Sequence, residues 1–109
     1  MIRVIINRDK QGFIWEFLIK GHAGYGKSGE DIVCAGISAV AYTAIGALAE
    51  MAGVDDFIER EGYMKCTIPN NINENLKQTV KIILEAMVIG LRQIENSYDK
   101  YVVVKEQEV

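Results

Sequence analysis

His22 is the only histidine in the chain, and Cys34 follows it by twelve positions. An imidazole that reaches a thiol can take its proton and hold the resulting thiolate, which is the equipment for covalent attack on a carbonyl. The stretch between them also spells a different chemistry. "GHAGYGKS", Gly21 to Ser28, satisfies G-x-x-x-x-G-K-[ST] letter for letter, and Gly24, Gly26 and Gly29 satisfy G-x-G-x-x-G. Both patterns describe glycine-rich loops whose backbone N–H groups cradle phosphate.

The phosphate reading fails on its surroundings. Glu30 and Asp31 occupy the place where the following helix would greet an anion, and two carboxylates there oppose a triphosphate. No later strand ends in an aspartate suited to magnesium, and the chain is short for the alternating βα units such a sheet requires. A dinucleotide fold fails likewise, for want of a βαβ unit with an acidic residue at its usual place.

The elements that must position His22 and Cys34 follow from the hydrophobic pattern. Ile2 to Arg8 alternates as a strand, Gln11-Gly12 marks a turn, and Phe13 to Lys20 ("FIWEFLIK") reads as a second strand. A helix begins near Asp31 and ends near Gly53, a glycine suited to a C-terminal cap. "DFIERE" and "YMKCTI" are two short strands hinged at Glu61-Gly62. Pro69 and the asparagines at 70, 71 and 73 lead to a second helix. Its apolar residues, from Leu76 through Leu84 to Ile94, recur at three- and four-residue steps, with Lys77, Lys81, Glu85, Arg92 and Glu95 on a wet face. "YVVVKEQ" is a fifth strand. The order ββαββαβ predicts an α+β two-layer sandwich, two helices over a mixed or antiparallel sheet, as one domain over residues 1–109.

This layout places His22 where the second strand ends and Cys34 in the first turn of the next helix, at one edge of the sheet. With Asp31 as N-cap, Cys34 is the third helical residue. A thiol there meets the positive end of the helix dipole, which favours thiolate, and unpaired N–H groups of the first turn are candidates to stabilise an oxyanion. Asp31 either caps the helix or turns to orient His22.

Half the residues are apolar, a quarter are charged, and the net charge is -3 with no basic block. That composition is of a globular domain without an electrostatic footprint for nucleic acid, so no direct nucleic-acid partner is expected. Two cysteines make no disulfide framework, and Met1 opens directly onto a strand rather than a signal peptide. A reducing, cytoplasmic setting with free thiols is expected. Ile32 to Ala49 carries no charge, near the lower limit for a membrane span. However, it is rich in Ala, Gly, Ser and Thr and is flanked by Glu30, Asp31 and Glu50. It is read as a helix buried all round, with no membrane partner. Its apolar character on every side leads us to expect a homodimer; cover by loops is the alternative. Cys66 is read as core packing, and no metal or cofactor is expected.

"GHAGYGKSGEDIVCAGISAV" resembles the signature of the bacterial Prp (YsxB-like) ribosomal-processing cysteine proteases. In these, Gly-His-Ala precedes a short glycine-rich loop and then Gly-x-Asp-Ile-Val-Cys-Ala-x-x-Ser. The match falls on Gly21, His22, Ala23, Gly29, Asp31, Ile32, Val33, Cys34, Ala35 and Ser38. The resemblance implies a dimeric endopeptidase. It removes the short N-terminal extension of large-subunit ribosomal protein twenty-seven, cutting after a hydrophobic peptide that ends in phenylalanine. Cys34 is then the nucleophile, His22 its base, and Asp31 and Ser38 supporting residues. Ser38 lies one turn beyond Cys34 and either bonds the thiolate or substrate, or bonds back to the carbonyl four residues earlier. Gly24, Gly26 and Gly29 make a mobile loop that admits and covers a peptide. Tyr25 and Lys27 on it are placed either to touch substrate or to stay solvated. A non-catalytic peptide-binding module in ribosome assembly, and an acyl transferase, are the rival readings.

Overall fold

The computed structural model describes residues 1–27 and 29–109. Ser28, the last letter of the Walker-like string, lies outside the described residues. Five strands and two helices follow in the expected order: β1 (Ile2–Arg8), β2 (Ile14–Lys20), α1 (Ile32–Ala52), β3 (Phe57–Arg60), β4 (Tyr63–Thr67), α2 (Glu74–Ser97) and β5 (Val102–Glu108).

The strands form one sheet in the order β3-β4-β2-β1-β5. All neighbours are antiparallel except β1 and β5, which run parallel with Ile2 opposite Val102. The sheet is therefore mixed, and the two crossovers, β2-α1-β3 and β4-α2-β5, carry the helices. Ile2, Val4 and Ile6 alternate into the core as a half-buried strand requires. In β2 the alternation breaks, because Arg8 pairs with Ile14 while Asn7 pairs with Glu16. The extra residue, Trp15, is a β-bulge that lets both Ile14 and Phe17 face inward.

Each helix is closed by its own ends. Gly53 adopts φ 66° at the end of α1, and the N–H groups of Gly53 and Val54 reach the carbonyls of Ala49 and Leu48, a Schellman cap. Asn73 caps α2 through Asn75 N–H. Val80, Leu84, Met87, Val88 and Leu91 of α2 are buried, each stabilising by roughly 1.5–3 kcal/mol relative to exposure. The charges read as a wet face are partly engaged. Arg8 makes a bidentate bond to Glu85 at 2.6 and 3.0 Å, and Arg92 joins Glu95 and Glu106. Glu95 also accepts the Val104 N–H at 2.7 Å. This network pins α2 over the β1-β5 side of the sheet.

α1 differs from expectation. It buries one stripe, Val33, Ile37, Ala41, Ala44, Ile45, Leu48 and Ala52, while Ile32, Tyr42 and Met51 are exposed. It is not buried all round. Its uncovered flank is largely Ala, Gly, Ser and Thr, which exposes little apolar area per residue, and β3 beyond it is exposed along its whole length. By length and composition α1 also meets the requirement for crossing a bilayer.

Candidate active site

One edge of the sheet gathers the end of β2, the β3-β4 turn, the start of α1 and the α2-β5 turn. His22 lies two residues past β2 and is exposed; Cys34 is half-buried at the third position of α1. The Ala23 N–H donates to Cys34 Sγ at 3.3 Å, so the residue after His22 is bonded to the sulfur.

Two cavities meet at this point. One, of about 420 Å³, lies between α1 and the β3-β4 hairpin, with Ile19, Ile37, Ala41 and Met64 on its apolar part. The other, of about 440 Å³, is lined by Gly24, Gly26 and Gly29 of the glycine-rich loop and by Asp31. His22, Cys34, Ser38 and Glu61 line both. The two residues singled out by type and spacing are thus brought to the same cleft.

Asp31 takes the capping role. Its Oδ1 accepts the N–H groups of Val33 and Cys34, each at 3.0 Å, and its Oδ2 accepts those of Tyr25 at 2.9 Å and Gly26 at 3.2 Å. All four bonds go to backbone, so one carboxylate fastens both the helix start and the glycine-rich loop rather than orienting His22. This also corrects the expected oxyanion donors, since the first-turn N–H groups of Val33 and Cys34 are already occupied. The Cys34 N–H is the chief cause that holds the Asp31 carboxyl below its ordinary 3.8, against some desolvation, with Gly26, Tyr25 and Val33 adding. A depressed folded value means that the contribution is present above the unfolded value and is lost as pH falls through the folded one. Asp31→Asn keeps one capping oxygen but turns an amide donor toward Tyr25 and Gly26. Amide exchange at those two residues is expected to rise about tenfold, as measured by NMR, with α1 intact by circular dichroism.

The other expected site residues divide by position. Tyr25 is exposed, and its ring meets Tyr98 and Tyr101 edge-on, with centroids 5.5 and 5.1 Å away. These contacts dock the loop on the α2-β5 turn. Lys27 is exposed, and its carbonyl accepts the Glu30 N–H. Ala23 is buried, and Gly21 joins β2 to the β3-β4 turn through its N–H to Gly62 O at 2.8 Å. Ser38 is exposed on the wall of both cavities. Among the described residues the back-bond to a carbonyl four residues earlier is made by Thr43, not Ser38.

Cys66 is buried in β4, and burial, with Asp56 and Glu16 nearby, pushes its thiol up to about 12. Iodoacetamide at neutral pH is therefore expected to modify Cys34 at least about tenfold faster than Cys66. Peptide mapping by mass spectrometry checks this, and equal, slow labelling would count against an activated thiol. Glu61 and Gly62, legible in the sequence only as a turn, also line the hairpin cavity. The available signal was a glycine at the second place of a tight hairpin, where a positive φ is required.

The sequence model of the family described as "Cysteine protease Prp" matches residues 1–103. The "Ribosomal processing cysteine protease Prp" of Bacillus subtilis (strain 168) is 33% identical over 101 residues, which cover 90% of each chain. The protein of the same name from Staphylococcus aureus (strain Mu50 / ATCC 700699) is 28% identical over 103 residues, covering 92% of this chain and 93% of that one. The crystal structure of the S. aureus ribosomal processing protease Prp with a covalently linked product peptide superposes with a TM-score of 0.87. It is 27% identical and covers 98% of this chain and 100% of its own. The crystal structure of SMU.848 from Streptococcus mutans gives 0.82 at 28% identity, covering 100% of this chain and 96% of its own.

Proposed function

Because the chain belongs to the Prp cysteine protease family, we propose that Cys34 and His22 form its catalytic dyad and that its substrate is the N-terminal extension of large-subunit ribosomal protein twenty-seven. Membership makes it a cysteine protease, which sets aside both the non-catalytic module and the acyl transferase. The observation that carries the dyad is the Ala23 N–H bond to Cys34 Sγ, made beside His22 where the two cavities join.

The chemistry follows from those parts. His22 accepts the Cys34 proton, and the thiolate adds to the scissile carbonyl carbon. As the C–N bond breaks, the imidazolium gives its proton to the leaving amine and a thioester remains. Water, deprotonated by His22, attacks the thioester; the C–S bond breaks, the peptide leaves as a carboxylate, and Cys34 regains its proton. Asp31 holds the helix start and the loop, and Ser38 faces the reacting groups from the next turn.

Relatives named as ribosomal processing proteases, and an S. aureus relative crystallised with a substrate peptide, support a ribosomal protein as substrate. The test is to incubate the protein with a peptide matching the extended N-terminus of the host's own ribosomal protein twenty-seven and weigh the products. Two fragments divided after the hydrophobic segment support the reading, and an intact peptide overturns the substrate. The same reading includes a homodimer, supported by the exposed Tyr42, Met51, Ile82 and Ile89 on the helices. It also includes a cytoplasmic location without nucleic acid, supported by the free thiols and the lack of a basic block.

A further inference from the structure

The β3-β4 turn consists of Glu61 and Gly62, with Arg60 paired to Tyr63 across it. Gly62 has φ 68°, which a hairpin glycine explains by itself. A second fact is independent of the turn. A Cβ on Gly62 would stand 2.9 Å from His22 Nε2, 3.5 Å from Cε1 and 3.6 Å from Cδ2, so the ring lies against the turn where any side chain would be. The Gly62 carbonyl also accepts the N–H of Gly21, the residue before His22, at 2.8 Å. Beside the turn, the Arg60 guanidinium stacks 4.8 Å over the Tyr63 ring, which braces its flanks.

We propose that Gly62 is the positioning residue for His22: its bare α-carbon is the seat on which the imidazole rests at the junction of the two cavities. The proposal rests on the reading of His22 as the base of the dyad. The carbonyl bond fixes the backbone before His22 and the bare α-carbon fixes the ring, so one turn sets both the origin and the direction of the side chain. Asp31 does not serve here, since both its oxygens are taken by backbone donors. A Cβ at 62 moves the ring, and proton transfer falls steeply when donor and acceptor are misplaced.

Strain must be separated from displacement, and Gly53 provides the matched control. It has φ 66°, but a Cβ there meets nothing within 4 Å. Gly62→Ala and Gly62→Asn are therefore compared with Gly53→Ala. Asparagine tolerates the left-handed backbone, so Gly62→Asn keeps the turn while still placing a Cβ against the ring. Both Gly62 variants are expected to lose about 10–100-fold in kcat on the extension peptide with KM within about twofold. Gly53→Ala is expected to melt earlier yet keep kcat. The Cε1–H and Cδ2–H resonances of the single histidine are expected to shift in both Gly62 variants and not in Gly53→Ala, and iodoacetamide labelling of Cys34 to slow only in the former. Parent-like kcat in Gly62→Asn, a loss confined to KM, or unmoved ring resonances would each overturn the proposal. If the parent protein cuts no peptide, the substrate reading fails, while the ring resonances and the labelling rate still decide whether Gly62 places the imidazole.

Discussion

Cys34→Ala and His22→Ala are each expected to lower peptide cleavage by on the order of 10⁴-fold while leaving peptide binding within a fewfold of the parent. In the proposed dyad a nucleophile and its base act as one unit, so the double variant is expected to be no worse than either single one. Binding survives because the apolar part of the hairpin cavity, Ile19, Ile37, Ala41 and Met64, is untouched by either change. Product mass spectrometry gives the rate and fluorescence titration gives the affinity. Cleavage by His22→Ala within tenfold of the parent would remove the imidazole from the mechanism, and independent, additive losses would separate the two residues.

Gly21→Ala is expected to destabilise the fold by about 2–5 kcal/mol, combining a left-handed backbone cost of about 1–2 kcal/mol with overpacking of about 1–3 kcal/mol. Gly21 has φ 90°, and a Cβ there would stand 2.6 Å from the carbonyl oxygen of Met1. Backbone on both sides leaves no flexible side chain to give way. The melting temperature is expected to fall by about 8 °C or more, as read by scanning calorimetry. Cleavage by the surviving folded fraction is expected to fall as well, because Gly21 also carries the bond to Gly62 that fixes the backbone entering His22. A change within 2 °C would show that the start of β1 yields freely.

What the sequence disclosed was local. The alternation of Ile2, Val4 and Ile6 and the spacing of Leu84, Met87 and Leu91 follow from repeats of two or 3.6 residues within one element, and the caps at Asp31 and Gly53 follow from residue type at a helix end. The arrival of His22 and Cys34 at one cleft was legible in the same way, because a strand end and the helix it feeds share a sheet edge. What it hid depends on contacts between distant segments. Trp15 is ordinary strand sequence, and only its partner strand reveals the bulge. Tyr25 docks on residues more than seventy positions away, and Gly62 meets His22 forty positions away. The exposed flank of α1 was hidden for another reason. Ala, Gly and Ser are compatible with burial and with exposure alike, so composition alone could not tell which side the sheet covers.

The parallel pairing of β1 with β5 makes the sheet depend on two strands nearly the full described chain apart. Ile2 must find Val102 before the sheet acquires its last strand, and closing a loop of about 100 residues costs about 4 kcal/mol in chain entropy before any ladder bond forms. In a chain whose β5 has not yet paired, that edge of β1 is open and the α2-β5 turn is not held where Tyr25 meets Tyr98 and Tyr101. The glycine-rich loop beside Cys34 is therefore fastened to the α2-β5 turn only when the most distant strands of the sheet have met, so the order of the cleft depends on the longest-range pairing in the fold.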